Sequence, residues 1–346
     1  VVLVYALLSR ILSVLCSVIP VIFFNTGVPG AIIGLTLASF GSFLVGMRLL
    51  TLPFKDVTRR KTDLTTADIL RFSMPVFSSS LYGFVIGSAS QFFVSRYLGV
   101  ENFAMFANGY RELPIAGIVI GAVAGILLPE FSRMTKGGSD SKQYLVLWKN
   151  VVLKSAAVIY PFSLYCCIFA PEIMGVLYGT VYREAADLFR IVTIINLVRI
   201  VPYGPIMFAL GKGKIFAKAH LVTALLLLGL DFLCVTFFPS LSAIAIIATT
   251  TTVFCLVVLM VSTARLLNTG LLGLMPWKSM FKILSVSTFS CFLGSCAVNL
   301  IGVTRDFPAL LSGFLISIVI YLPLSYIAGI NYARLLKPLV STNQRK

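Results

Sequence analysis

The sequence predicts an all-α polytopic membrane protein, from its composition, the lengths of its charge-free stretches and the placement of its basic residues. Hydrophobic residues make up 58% of the 346-residue chain and charged residues 12%, with a mean hydropathy of +0.99. Soluble domains run near half apolar and a quarter charged. Charge-free stretches cover residues 11–47, 72–95, 113–129, 155–171, 232–264, 283–304 and 307–333, and several match the ~20 residues a spanning helix needs. Two of them, 11–47 and 232–264, are long enough for a hairpin of two spans, divided by turn signals at residues 25–30 (NTGVPG) and at Pro239 and Ser240.

Ten spans follow: 3–24, 29–51, 70–93, 103–130, 147–170, 185–210, 217–237, 241–264, 282–302 and 307–330. If the first runs from inside to outside, the inner loops, helix ends and tail carry twenty Lys/Arg, and the outer loops carry three, Arg96, Arg183 and Arg305. That asymmetry is a strong orientation signal. The net charge of +16 would suggest nucleic acid in a soluble protein. Here the basic residues lie between apolar spans, so no nucleic-acid partner is expected.

The first hairpin, residues 1–52, opens at Val1 directly into an apolar span with no charged leader, so the chain reads as a piece of a longer protein. Its residues 21–24 (VIFF) and 31–34 (AIIG) recur as 235–238 (VTFF) and 245–248 (AIIA) at an offset of 214. If this is a duplication, the repeat unit is six helices and the first unit here lacks its first four. The polar stretch 53–67 then reads as a cytoplasmic linker between lobes, 68–266 as the second six-helix lobe, 267–281 as a cytoplasmic loop, 282–330 as two additional helices and 331–346 as a tail. Two repeats with a site between them is a transporter pattern.

Five basic residues fall inside spans: Arg10, Arg111, Lys154, Arg190 and Arg199. A charge at mid-membrane costs about 2.5–3.5 kcal/mol on insertion scales and marks a paired or functional site. Arg111 and Glu112 head the seventeen uncharged residues 113–129. Neighbours on a helix point ~100° apart, so the two do not neutralise each other and another partner is required. Arg111 lies eight residues into a helix starting at Phe103, about 12 Å deep, either snorkelling outward or lining a cavity. Gly117, Gly121 and Gly125 recur every four residues and form a face for close helix packing, bracketed by Pro114 and Pro129.

In the span 185–210, Arg190 is spaced to pair with Asp187, which is spaced to pair with Arg183, a structural ladder at the outer mouth. Arg199 has no acid within four residues and precedes Pro202 and Pro205, which break the helix and free backbone groups nearby. In 217–237, Asp231 is the deep acid, a candidate for a coupling cation or for a basic partner; His220 sits near the inner end. The seven cysteines lie in apolar spans without metal-ligand spacing and read as packing residues. Enzyme motifs such as HExxH, GxGxxG and GxxxxGK[ST] do not occur, so neither an enzyme nor a cofactor is expected.

The block 106–134 (FANGYRELPIAGIVIGAVAGILLPEFSRM), with QFFVSRYLGVENF before it and FAPEIMGVLYGTVYREAADLFRI and ALGKGKIFAKAHLVTALLLLGLD after it, resembles the polysaccharide-transporter branch of the multidrug/oligosaccharidyl-lipid/polysaccharide exporter superfamily. The resemblance implies a two-lobe fold of six, six and two helices in the bacterial inner membrane. It also implies a flippase for an undecaprenyl-pyrophosphate-linked oligosaccharide working by alternating access, with membrane lipids and polysaccharide assembly proteins as partners. Under it, Arg111, Arg199 and Arg10 line a cavity for the pyrophosphate, Glu112 pairs with one of them when the cavity is empty, and Na+ or H+ coupling stays open. Peptidoglycan-precursor flippases and cation-coupled drug exporters of the same superfamily remain alternatives, as does a membrane-embedded glycan polymerase.

Overall fold

The computed structural model describes residues 2–52, 65–112, 114–330 and 332, which are helical between short turns. Two units divide the chain, Val1–Thr66 and Ala67–Lys346. Most of the charged stretch 53–67, and the tail 331–346 apart from Tyr332, lie outside the described residues.

The first unit is a hairpin of α1 (Val2–Phe24) and α2 (Gly27–Thr51). Its turn forms where the sequence offers residues that tolerate positive φ: Asn25 at 52° and Gly27 at 60°. Thr26 closes it, donating from backbone and hydroxyl to the Pro20 carbonyl at 3.3 and 2.8 Å. Farther along, Tyr5 donates to the Ser42 carbonyl at 2.7 Å. The helices approach closely at Gly34, where a Cβ would lie 1.7 Å from the Cys16 carbonyl oxygen, whereas a Cβ on Gly41 meets nothing within 4 Å. Gly34→Ala is therefore expected to lower the thermal midpoint of the purified protein by the equivalent of about 1–3 kcal/mol. Gly41→Ala on the same helix should leave it unchanged or raise it.

The second unit runs α3 (Thr66–Tyr97), α4 (Val100–Gly109), α5 (Pro114–Lys136), α6 (Ser141–Ile168) and α7 (Ala170–Tyr178). A 3₁₀ turn (Thr180–Ala185) then leads into α8 (Ala186–Thr193), α9 (Ile195–Val198), α10 (Gly204–Ala209), α11 (Gly213–Phe237) and α12 (Leu241–Leu266). The series closes with α13 (Leu271–Leu274), α14 (Trp277–Ile301) and α15 (Asp306–Ile327). The core centres on α6, whose Trp148, Val152, Ala156 and Ile159 are fully buried, and α14 packs between it and α15. Small residues let α14 and α15 approach: a Cβ on Gly294 would lie 2.2 Å from Ser317 Oγ. At the other end of α15, Asp306 receives a 2.7 Å hydrogen bond from Arg183 and ties the helix to the 3₁₀ turn.

Nine helices among the described residues are long and apolar enough to cross a membrane. The difference from the ten spans read in sequence lies in 185–210, which is not one helix but α8, α9 and α10, each short of a span. The span 103–130 is also not continuous. It is α4 followed by a break and then α5, so Arg111 does not lie inside a helix that starts at Phe103. Pro114 is one physical reason: it suits the first position of a helix and has no N–H to donate to the carbonyl of Tyr110 four residues back. The outer ladder is half corrected. Arg190 donates to Asp187 at 2.9 Å, but Arg183 turns to Asp306, because residues 180–185 are 3₁₀ and the helical i,i+4 spacing to Asp187 is lost.

Candidate functional site

Two interrupted helices in the second unit bring their charged residues together. In the first, α4 ends at Gly109, which lets it press against the 3₁₀ turn: a Cβ there would sit 2.8 Å from Ala185 Cβ and 3.1 Å from Leu188 Cβ. Tyr110 then leaves helical geometry at φ −82°, ψ 57°. Its ring stacks on Phe106 at 5.0 Å and its hydroxyl meets Thr249 Oγ1 of α12 at 3.0 Å. Arg111 and Glu112 occupy the gap before α5.

In the second, α9 ends at Val198 and Arg199 takes φ −87°, ψ 68°. Pro202 disfavours helical backbone at Val201, and Pro205 sits in the first turn of α10, so the gap 199–203 is written into the sequence. Tyr160 of α6 holds the edge of the gap by donating to the Leu197 carbonyl at 3.0 Å.

Arg199 Nη2 donates to Glu112 Oε2 across 87 residues of sequence. The two side chains keep 30% and 27% of their exposure, so the pair is partly screened from solvent yet reachable. The contact uses one carboxylate oxygen, while Arg199 Nε, buried, has no hydrogen-bond partner among the described residues. Guanidinium carries five N–H donors in a planar fork, so the remaining ones can take a second anion. Asn196, one turn earlier, is buried with its Oδ1 equally unpartnered among the described residues.

No other predicted residue of the second unit joins this ion pair among the described residues. Arg111 is exposed, with no hydrogen bond or ion pair among the described residues. Arg10 is exposed on α1, in the other unit. Arg190 is occupied by Asp187 and by the Cys167 carbonyl, to which its Nε donates at 3.1 Å. Lys154 is half-buried, and His220 packs on Phe216 at 4.3 Å with Nδ1 2.9 Å from the Phe216 carbonyl. Gly117, Gly121 and Gly125 do share a face of α5, but it is open: a Cβ at any of them meets nothing within 4 Å, and the residues α5 buries, Ala116, Leu127 and Phe131, lie on another face. The expected close packing of the glycines has no partner among the described residues.

Asp231 is fully buried on α11. Ser90 of α3 donates to its Oδ2 at 2.7 Å, and Oδ1 has no hydrogen-bond partner among the described residues. Of its two sequence readings, a basic partner is therefore not found there. A carboxylate oxygen beside a hydroxyl suits a hard cation or a proton, and no group of three His, Cys, Asp or Glu among the described residues could hold a metal ion. All seven cysteines are free, and four of them are buried. Sequence reasoning missed Tyr110, Thr249, Ser90 and Asn196. Asn196 carried a signal, a polar residue three positions before Arg199 in an apolar segment; the others carried none.

A family described as "Polysaccharide biosynthesis protein" matches residues 1–187 of the chain. No curated protein matches it. The solved structure of the lipid II flippase MurJ in its inward closed conformation shares the fold, with a TM-score of 0.59 at 15% identity over 96% of this chain. The chain spans 66% of that protein's length.

Proposed function

The chain belongs to the polysaccharide biosynthesis protein family and has, among its described residues, nine helices long and apolar enough to cross a membrane, and from that premise we propose that it is part of a flippase for a lipid-linked oligosaccharide. The observation that carries this reading is the meeting of two interrupted helices at the Arg199–Glu112 pair. Transporters build substrate sites from discontinuous helices, where freed backbone groups and fixed charges are aimed at a cavity.

The substrate is read as an undecaprenyl-pyrophosphate-linked repeat unit of O-antigen or capsule, moved from the inner to the outer leaflet of the bacterial inner membrane by alternating access. Arg199 binds a pyrophosphate oxygen with the donors that Glu112 leaves unused. Arg111, exposed in the gap that also carries Glu112, adds a second positive charge, and Arg10 stays a candidate on the family resemblance alone. Glu112 then acts as an internal anion: it holds Arg199 when substrate is absent and yields it when pyrophosphate arrives. The open glycine face of α5 leaves room for another helix to slide against it. Asp231, with Ser90 beside it, is the coupling-ion residue, for Na+ or H+. The protein moves its substrate and makes or breaks no bond in it, with polysaccharide assembly proteins on either side of the step.

Deleting the complete gene and locating the lipid-linked oligosaccharide tests the reading. Accumulation on the inner leaflet with loss of surface polysaccharide is the expected result. Unchanged polysaccharide would move the chain to a peptidoglycan precursor or a drug as cargo, and outer-leaflet intermediates that stay short would make it a polymerase.

A further inference from the structure

A cavity of about 770 Å³ lies in the second unit, apart from the Arg199–Glu112 pair but sharing a wall with its gap. Leu197, Val198 and Ile200 line it from the Arg199 side, and Val253 and Val257 from α12. Tyr160 adds its ring, its hydroxyl already spent on the Leu197 carbonyl. The walls are thus apolar down to the break in the helix.

The mouth differs. The lining residues at the start of α14, Trp277, Lys278 and Lys282, are exposed, and no acidic residue lines the cavity. Lys278 and Lys282 are four apart and share a helix face. Lys278 makes no hydrogen bond or ion pair among the described residues, and Lys282 uses one of its three donors on the Ala328 carbonyl at 3.2 Å. By the charge asymmetry of the loops, this end of α14 is at the inner surface. A tryptophan at headgroup level, two ammonium groups and a deep apolar slot between helices together have the chemistry of an amphiphile site with a negative head, and the volume lies within the range of ligand pockets.

We propose that this cavity binds an anionic phospholipid of the inner leaflet, one acyl chain reaching the Leu197–Ile200 wall and the phosphate resting on Lys278 and Lys282. The charge complementarity at the mouth selects the headgroup, and the chain buttresses the segment that carries Arg199. The site is separate from the pyrophosphate site proposed above and does not depend on what the protein transports.

The test is photolabelling of the purified protein in phosphatidylcholine nanodiscs doped with phosphatidylglycerol that carries a diazirine at its acyl terminus. Label is expected on the segments around Leu197–Ile200 and Val253–Val257. Lys278→Ala/Lys282→Ala should weaken it roughly tenfold or more, the scale of two lysines facing an anionic lipid, and Lys278→Ala alone, which removes no bond within the protein, by part of that. Val253→Phe should exclude the chain with the lysines intact. Several results would overturn the proposal: equal labelling by the phosphatidylcholine analogue, label confined to other segments, or lysine variants that label like the wild type. Competition by inorganic phosphate would show a free-phosphate site instead, and displacement by undecaprenyl pyrophosphate at lower concentration than phosphatidylglycerol would assign the cavity to the transported lipid.

Discussion

Arg199→Ala is expected to lower transport at least about tenfold, read as surface polysaccharide restored in a deletion strain at matched protein level. One charge-assisted hydrogen bond contributes about 1.5–3 kcal/mol, and 1.4 kcal/mol is already a factor of ten. Arg199→Lys should recover only part of the loss, because an ammonium is a point charge and cannot form the planar fork that grips phosphate oxygens. The loss in Arg199→Ala also has a structural component: Glu112 is left with a charge in a partly desolvated gap. Glu112→Gln separates the two effects. It keeps the shape and removes the competing anion, so it should tighten substrate binding while slowing release, lowering turnover with the protein still fully folded. Full transport by both Arg199→Ala and Arg111→Ala at normal expression would end the arginine-lined cavity as an explanation.

Asp231 carries the second large effect. A fully buried carboxylate with one oxygen on Ser90 and the other without a partner among the described residues is costly unless a cation or proton satisfies it. A ligand that binds only the folded state raises stability by RT ln(1 + [L]/Kd), so the thermal midpoint should rise on exchanging choline for sodium or on lowering pH. The ion that produces the rise identifies the coupling species. Asp231→Asn should abolish that response and the matching dependence of transport, whereas Ser90→Ala should weaken both without removing them. Equal responses in wild type and Asp231→Asn would remove Asp231 from the coupling reading. Asp231→Leu strands the Ser90 hydroxyl and should cost about 1–3 kcal/mol in addition.

The helical architecture, with nine helices among the described residues long and apolar enough to cross a membrane, agrees with what hydropathy alone implied. The transmembrane reading was legible because a bilayer forces each span to be long, apolar and internally hydrogen-bonded, constraints visible residue by residue. The break near Arg199 was legible too, since Pro202 and Pro205 act on their own neighbours. The break at Tyr110–Glu112 was only half legible: Pro114 pointed to a kink, but Gly109 yields to the turn around Ala185 for a tertiary reason.

The sequence by itself determined the membrane class, the spans other than the interrupted stretches 103–130 and 185–210, and the short list of charges that apolar surroundings cannot ignore. Those follow from local chemistry. Only the tertiary structure decided which charge meets which: Glu112 with Arg199 from 87 residues away, Ser90 with Asp231 from 141, and Arg183 with Asp306 rather than Asp187. A charge in an apolar segment announces that it needs a partner, but the partner is chosen by how helices pack, and nearly featureless apolar faces encode that choice in shape rather than in residue type.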